Sequence, residues 1–85
     1  DPNNAQAYIN RGNAYDDLKD HAKAIADYNE AVRIDPNNER AYYNRGIANN
    51  RLNKHQEAIQ DYTQAIRINA NYGEAFFNRG VTYFK

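Results

Sequence analysis

His21 and His55 stand 34 residues apart, and the adjacent carboxylates of Asp16 and Asp17 lie just ahead of the first. A histidine pair is a candidate for holding a metal ion, and paired carboxylates are a candidate for acid–base catalysis. The carboxylates fail on direction, because neighbouring residues of a helix point about 100° apart. No nucleophile, glycine-rich phosphate loop or ligand cluster accompanies them, so the reading is of a chain that is not an enzyme and uses no cofactor. The absence of cysteine removes disulfides, thiol chemistry and cysteine-based zinc sites, and leaves the compartment open.

The same interval returns in groups suited to recognition. Asn-Arg-Gly occurs at 10–12, 44–46 and 78–80, each copy 34 residues after the last. Arg11, Arg45 and Arg79 fall at the edge of an apolar stripe, where a lone charge is costly. Asp27 and Asp61 recur at the same spacing. The pattern predicts alternating charges that hold the units in register, with Asp27 between Arg11 and Arg45, and Asp61 between Arg45 and Arg79. The bland alternative is a pair of solvated faces that merely repeat. Asn10, Asn44 and Asn78 each offer a donor and an acceptor, which matches one peptide unit of an extended chain. Helices about 8–10 Å apart would meet roughly every third residue of a peptide rising about 3.3 Å per residue. Against this stands an asparagine that tolerates an exposed helix surface or bonds to a neighbouring helix.

The elements that must carry these residues are helices. Residues 1–34 and 35–68 are identical at 19 of 34 positions, and a third copy starts near Asn69. Repetition at this period points to a solenoid. Ala24, Ile25, Tyr28, Ala31 and Val32 follow the spacing of a buried helix stripe, and Ala58, Ile59, Tyr62, Ala65 and Ile66 repeat it. In the first half of the unit Tyr8, Gly12 and Tyr15 share a stripe, with Leu18 at its margin. "DPNN" at 1–4 and 35–38 supplies a helix stop and caps. The expected helices are 5–18, 21–34, 39–52, 55–68 and 72–85. The units are 1–38 and 39–72, with a half unit at 73–85. Glycine in a helix interior costs roughly 0.5–1 kcal/mol relative to alanine, so Gly12 and Gly46 are expected where two helices approach closely.

Composition narrows the partners. Eleven basic and eleven acidic residues give zero formal net charge, without the basic footprint of nucleic-acid binding. A mean hydropathy of −1.09 and short apolar runs exclude a membrane span. With neither an initiator methionine nor a signal peptide at the start, the chain is expected to begin inside a longer protein, a processed product or an engineered fragment.

Tyr8, Arg11, Gly12, Tyr15, Ala24, Tyr28, Ala31 and Pro36 resemble the signature of the tetratricopeptide repeat. Tyr42, Arg45, Gly46, Asn49, Ala58, Tyr62 and Ala65 resemble it again, with Ala70 in the place of proline, and Phe76, Arg79, Gly80 and Tyr83 supply the half unit. The arginine departs from the leucine usual in that family. The neutral charge and the 34-residue period argue against the related 35-residue RNA-reading repeat. The resemblance implies an all-α fold: two helix-turn-helix units and a fifth helix in a right-handed superhelix. It implies an aromatic where His21 and His55 stand, hence packing rather than metal.

It also implies a protein or peptide partner in a concave groove lined by the first helices. The residues expected there are Asn10, Asn13, Asp17, Arg40, Tyr43, Asn44, Ile47, Arg51, Phe77, Asn78 and Val81, together with Gln6, Glu74 and Lys85, and with Ile9 and Phe84 at its flank. The family's carboxylate clamp finds its asparagines in Asn13 and Asn44. Ile9, Glu74 and Asn78 stand where it needs cations, so recognition of a C-terminal chaperone tail is not expected. The rival reading is a self-assembly unit joined through its ends. Helix 72–85 has no second helix of its own, leaving Phe76, Gly80 and Tyr83 as an end interface. Chains then stack compactly, or, since Ala70 removes a helix stop, exchange a continuous helix.

Overall fold

A computed structural model describes residues 4–83, with Phe76 described by its backbone alone. The helices are α1 (Ala5–Asp17), α2 (His21–Ile34), α3 (Glu39–Arg51), α4 (His55–Ile68) and α5 (Gly73–Tyr83). Their starts follow local chemistry. The side chains of Asn4, Asp20 and Asn38 accept backbone N–H groups in the first turns of α1, α2 and α3. Lys54 has no side chain able to do this, and α4 begins without such a cap. Lys19 and Asn53 adopt left-handed φ values of 65° and 62° in the two tight turns, where no glycine is available.

Between units the chain reverses through side-chain-closed turns. Asp35 accepts the Asn37 amide at 3.2 Å, and Asn69 accepts the Asn71 amide at 3.1 Å in the equivalent place. These turns explain how α4 stops at Ile68 although Ala70 replaces proline. The side chain itself supplies the turn hydrogen bond, so α4 and α5 are separate helices rather than one continuous rod.

The helices stack as α1–α2 and α3–α4 hairpins, with α2 against α3, α4 against α5, and α1 touching α3. The core is built of small residues around a few large ones. Ala24, Ala31, Ala41, Ala48, Ala58, Ala65 and Ala75 are fully covered, with Ile9, Tyr28 and Tyr62 between them. A β-carbon on Gly12 would lie 2.6 Å from the Tyr28 ring, and one on Gly46 would lie 2.7 Å from the Tyr62 ring. Each glycine makes room for a tyrosine, and that packing offsets its helix propensity.

Two expectations need correction. The buried stripe of α1 is Ile9, Gly12 and Asp16, with Tyr8 and Tyr15 half-buried beside it. Because α1 must cover both α2 and α3, its stripe turns toward the crevice between them. Ile9 is therefore a core residue, 1% exposed, whose full burial is worth roughly 1.5–3 kcal/mol. Leu18, placed at the stripe's margin from sequence, follows the last residue of α1 and is 78% exposed.

Candidate functional site

The repeated arginines hold each hairpin together from within. Arg11 donates Nη2 to Asp27 Oδ1 at 2.7 Å and Nε to Oδ2 at 2.8 Å. Arg45 does the same to Asp61, with Nη2 at 2.7 Å from Oδ1 and Nε at 3.0 Å from Oδ2. Asn49 adds a third donor to Asp61, at 3.0 Å. Such forked pairs combine charge with fixed geometry. At Arg45 the reach to the preceding unit differs from the expected alternation of charges. Arg45 Nη1 goes to Asn29 Oδ1 at 2.9 Å, and Arg79 Nη1 meets Thr63 Oγ1 at 3.4 Å. Asp27 accepts the fork of its own hairpin from Arg11, and Arg45 crosses to the amide two residues further along α2.

The predicted groove residues fall on three neighbouring clefts. Asn10 and Asn13 from α1 and Arg40, Tyr43 and Asn44 from α3 line one of about 280 Å³, joined by Gln6, Ile9, Tyr72 and Glu74. Ile47, Arg51, Asn78 and Val81 line a second of about 560 Å³, with Tyr62 and Thr82. Asp17 and Arg51 line a third of about 340 Å³ near the first tight turn. Phe77 is 71% exposed on α5 and lines none of these clefts. Of the end-interface residues, Gly80 has no described residue within 4 Å of where a β-carbon would stand, and Tyr83 is 64% exposed. The side chains of Phe76, Phe84 and Lys85 lie outside the described residues.

Several groove side chains already have partners. Asn10 accepts from Gln6 at 2.9 Å, Asn13 accepts from the Tyr28 hydroxyl, and Asn78 donates to the Tyr43 hydroxyl at 2.8 Å. The Asn44 side chain makes no hydrogen bond to another described residue, so of the three ladder side chains it alone is uncommitted. Burial first, and then the Glu74 carboxylate, raises the Tyr43 phenol above its usual range. Burial pushes Tyr62 up to about 12 and moves Tyr28 in the same direction. All three hydroxyls stay protonated donors at neutral pH.

Sequence reasoning missed the contacts that tie one unit to the next along this face. Arg51 Nη1 donates to Asp16 at 2.6 Å, while His21 Nδ1 meets the other oxygen of the same carboxylate. One unit on, Asn50 stands in the place of Asp16. It meets His55 Nδ1 at 3.0 Å and donates to Thr82 at 2.7 Å and Tyr62 at 3.2 Å. Each histidine thus closes back on the helix before it. Among the described residues, no group of three His, Cys, Asp or Glu could hold a metal ion. The recurring His at 21 and 55, each five residues after a polar residue, was the available signal.

The family model for the tetratricopeptide repeat matches residues 5–38 and 39–72. Among solved structures, the chain is similar to the first TPR of Spaghetti (RPAP3) bound to HSP90 peptide SRMEEVD. That match has 35% identity and a TM-score of 0.95, and covers 98% of this chain and 66% of the other. MamA matches at 32% identity and TM-score 0.92, over 98% of this chain and 48% of its own. YrrB, described as a TPR protein with an unusual peptide-binding site, matches at 26% identity and TM-score 0.88, over 94% of this chain and 41% of its own. The chain thus spans from two-fifths to just under two-thirds of these proteins' lengths. No curated protein sequence matches it.

Proposed function

The chain belongs to the tetratricopeptide repeat family, and from that premise we propose that it holds an extended peptide segment along the concave face of α1, α3 and α5. The observation that carries this reading is the cleft in which Asn10 and Asn13, Arg40, Tyr43 and Asn44, and Glu74 face one space from three successive first helices. The uncommitted amide of Asn44 sits within it and offers both halves of a backbone hydrogen-bond pair. The similarity to a domain bound to an HSP90 peptide supports peptide recognition as the class of activity. Asn44→Ala tests it on an immobilised peptide library. Loss of one hydrogen-bonding group should weaken binding about fivefold, with the melting temperature unchanged. A large drop in melting temperature or helicity would recast Asn44 as structural.

A second reading is association through the end of α5, favoured by the exposed Tyr83 and by the space that the described residues leave beside Gly80. Sedimentation at increasing concentration separates it from the first, since groove binding predicts no change in mass. A monomer at high concentration defeats this second reading.

A further inference from the structure

We infer that the groove selects for a basic side chain seated beside Glu74, followed about three residues away by an aliphatic one. This rests on the peptide-binding reading above and names the ligand chemistry. Tyr43 and Tyr72 stack with ring centroids 4.9 Å apart and planes at 30°, and both line the cleft. Glu74 lines that cleft, and also the adjoining one, which includes Glu39, Asn69, Asn71 and Tyr72. A carboxylate beside aromatic faces suits a lysine or arginine, which gains an ion pair and a cation–π contact together.

Arg40 also lines both clefts and opposes this attraction. It acts against the two carboxylates of Glu39 and Glu74, so the local balance remains acidic. An incoming terminal carboxylate would face Glu74 at the same place. The aliphatic subsite is the neighbouring cleft, where Ile47 and Val81 stand in equivalent positions of α3 and α5 and Val81 is 42% exposed. Glu74 and Val81 are seven residues apart on one helix, about 10 Å at about 1.5 Å per residue. An extended peptide covers that in about three residues.

The test uses fluorescently labelled, amidated peptides SKAAVSA, SEAAVSA and SKAAGSA, with binding followed by anisotropy. The intact chain should bind SKAAVSA about fivefold more tightly than either of the others. Glu74→Lys should reverse the order of the first two, and Arg40→Ala should widen it. Glu57→Lys makes the same charge change at an exposed position of α4 away from the clefts and should leave the order alone. Glu74 is itself exposed, so circular dichroism should show unchanged helicity in its variant. Equal binding of SKAAVSA and SEAAVSA, unaffected by Glu74→Lys but still weakened by Asn44→Ala, overturns the ligand assignment and leaves the groove reading standing. Failure of all three peptides to bind, with no effect of Asn44→Ala on the peptide library, overturns both.

Discussion

Gly46 and Gly80 hold the same place in the repeat, in the middle of the stack and at its C-terminal end. Above Gly46 lies the ring of Tyr62, close enough that a β-carbon would collide with it, whereas no described residue lies within 4 Å of a β-carbon on Gly80. The difference shows that the glycine answers to the second helix of its hairpin, not to the first helix that carries it. The charged pairs show the same gradient toward the N-terminal end. Arg11 is 60% exposed and Arg45 is 22% exposed, although their aspartates are almost equally covered. Arg45 lies between two hairpins, where Asn29 takes its free nitrogen. Arg11 is on α1, against which no earlier helix packs among the described residues.

The largest expected effect comes from breaking the inner pair. Asp61→Ala leaves Arg45 and the Asn49 amide without their acceptor, and should cost about 3 kcal/mol in urea unfolding. Asp27→Ala releases the already exposed Arg11 to water and should cost clearly less. Equal losses at the two positions would erase the contrast between middle and end.

Next in size is Gly46→Ala, which forces a methyl group against the Tyr62 ring and should destabilise by about 1–3 kcal/mol. Gly12→Ala should behave alike against Tyr28.

Smallest is Gly80→Ala, with the opposite sign. With no described residue in the way of the added methyl group, it should stabilise by about 0.5–1 kcal/mol through helix propensity. Thermal melts of the two alanine variants side by side read the sign directly. A longer chain in which a further helix covers α5 should turn the Gly80→Ala gain into a loss, which sharpens the same comparison.

The 34-residue period, the buried stripes of α2 and α4 and the caps of α1 and α3 were legible in the primary structure, because each acts over a turn or two of local chain. So was the need for space at Gly12 and Gly46, since a glycine held in a helix signals a close neighbour. The pairing of Arg11 with Asp27 and Arg45 with Asp61 was legible as spacing. What only the tertiary structure decided lies between units. Whether Tyr8 or Ile9 heads the core is a rotation of about 100° on α1, set by how α1 divides its cover between α2 and α3. Arg45 turns to Asn29, Arg51 to Asp16 and Asn78 to Tyr43. Each is a long or polar side chain with several candidate acceptors within reach. The choice among them depends on the separation and rotation of packed helices, to which residues far apart in the chain contribute at once, and no local pattern encodes it.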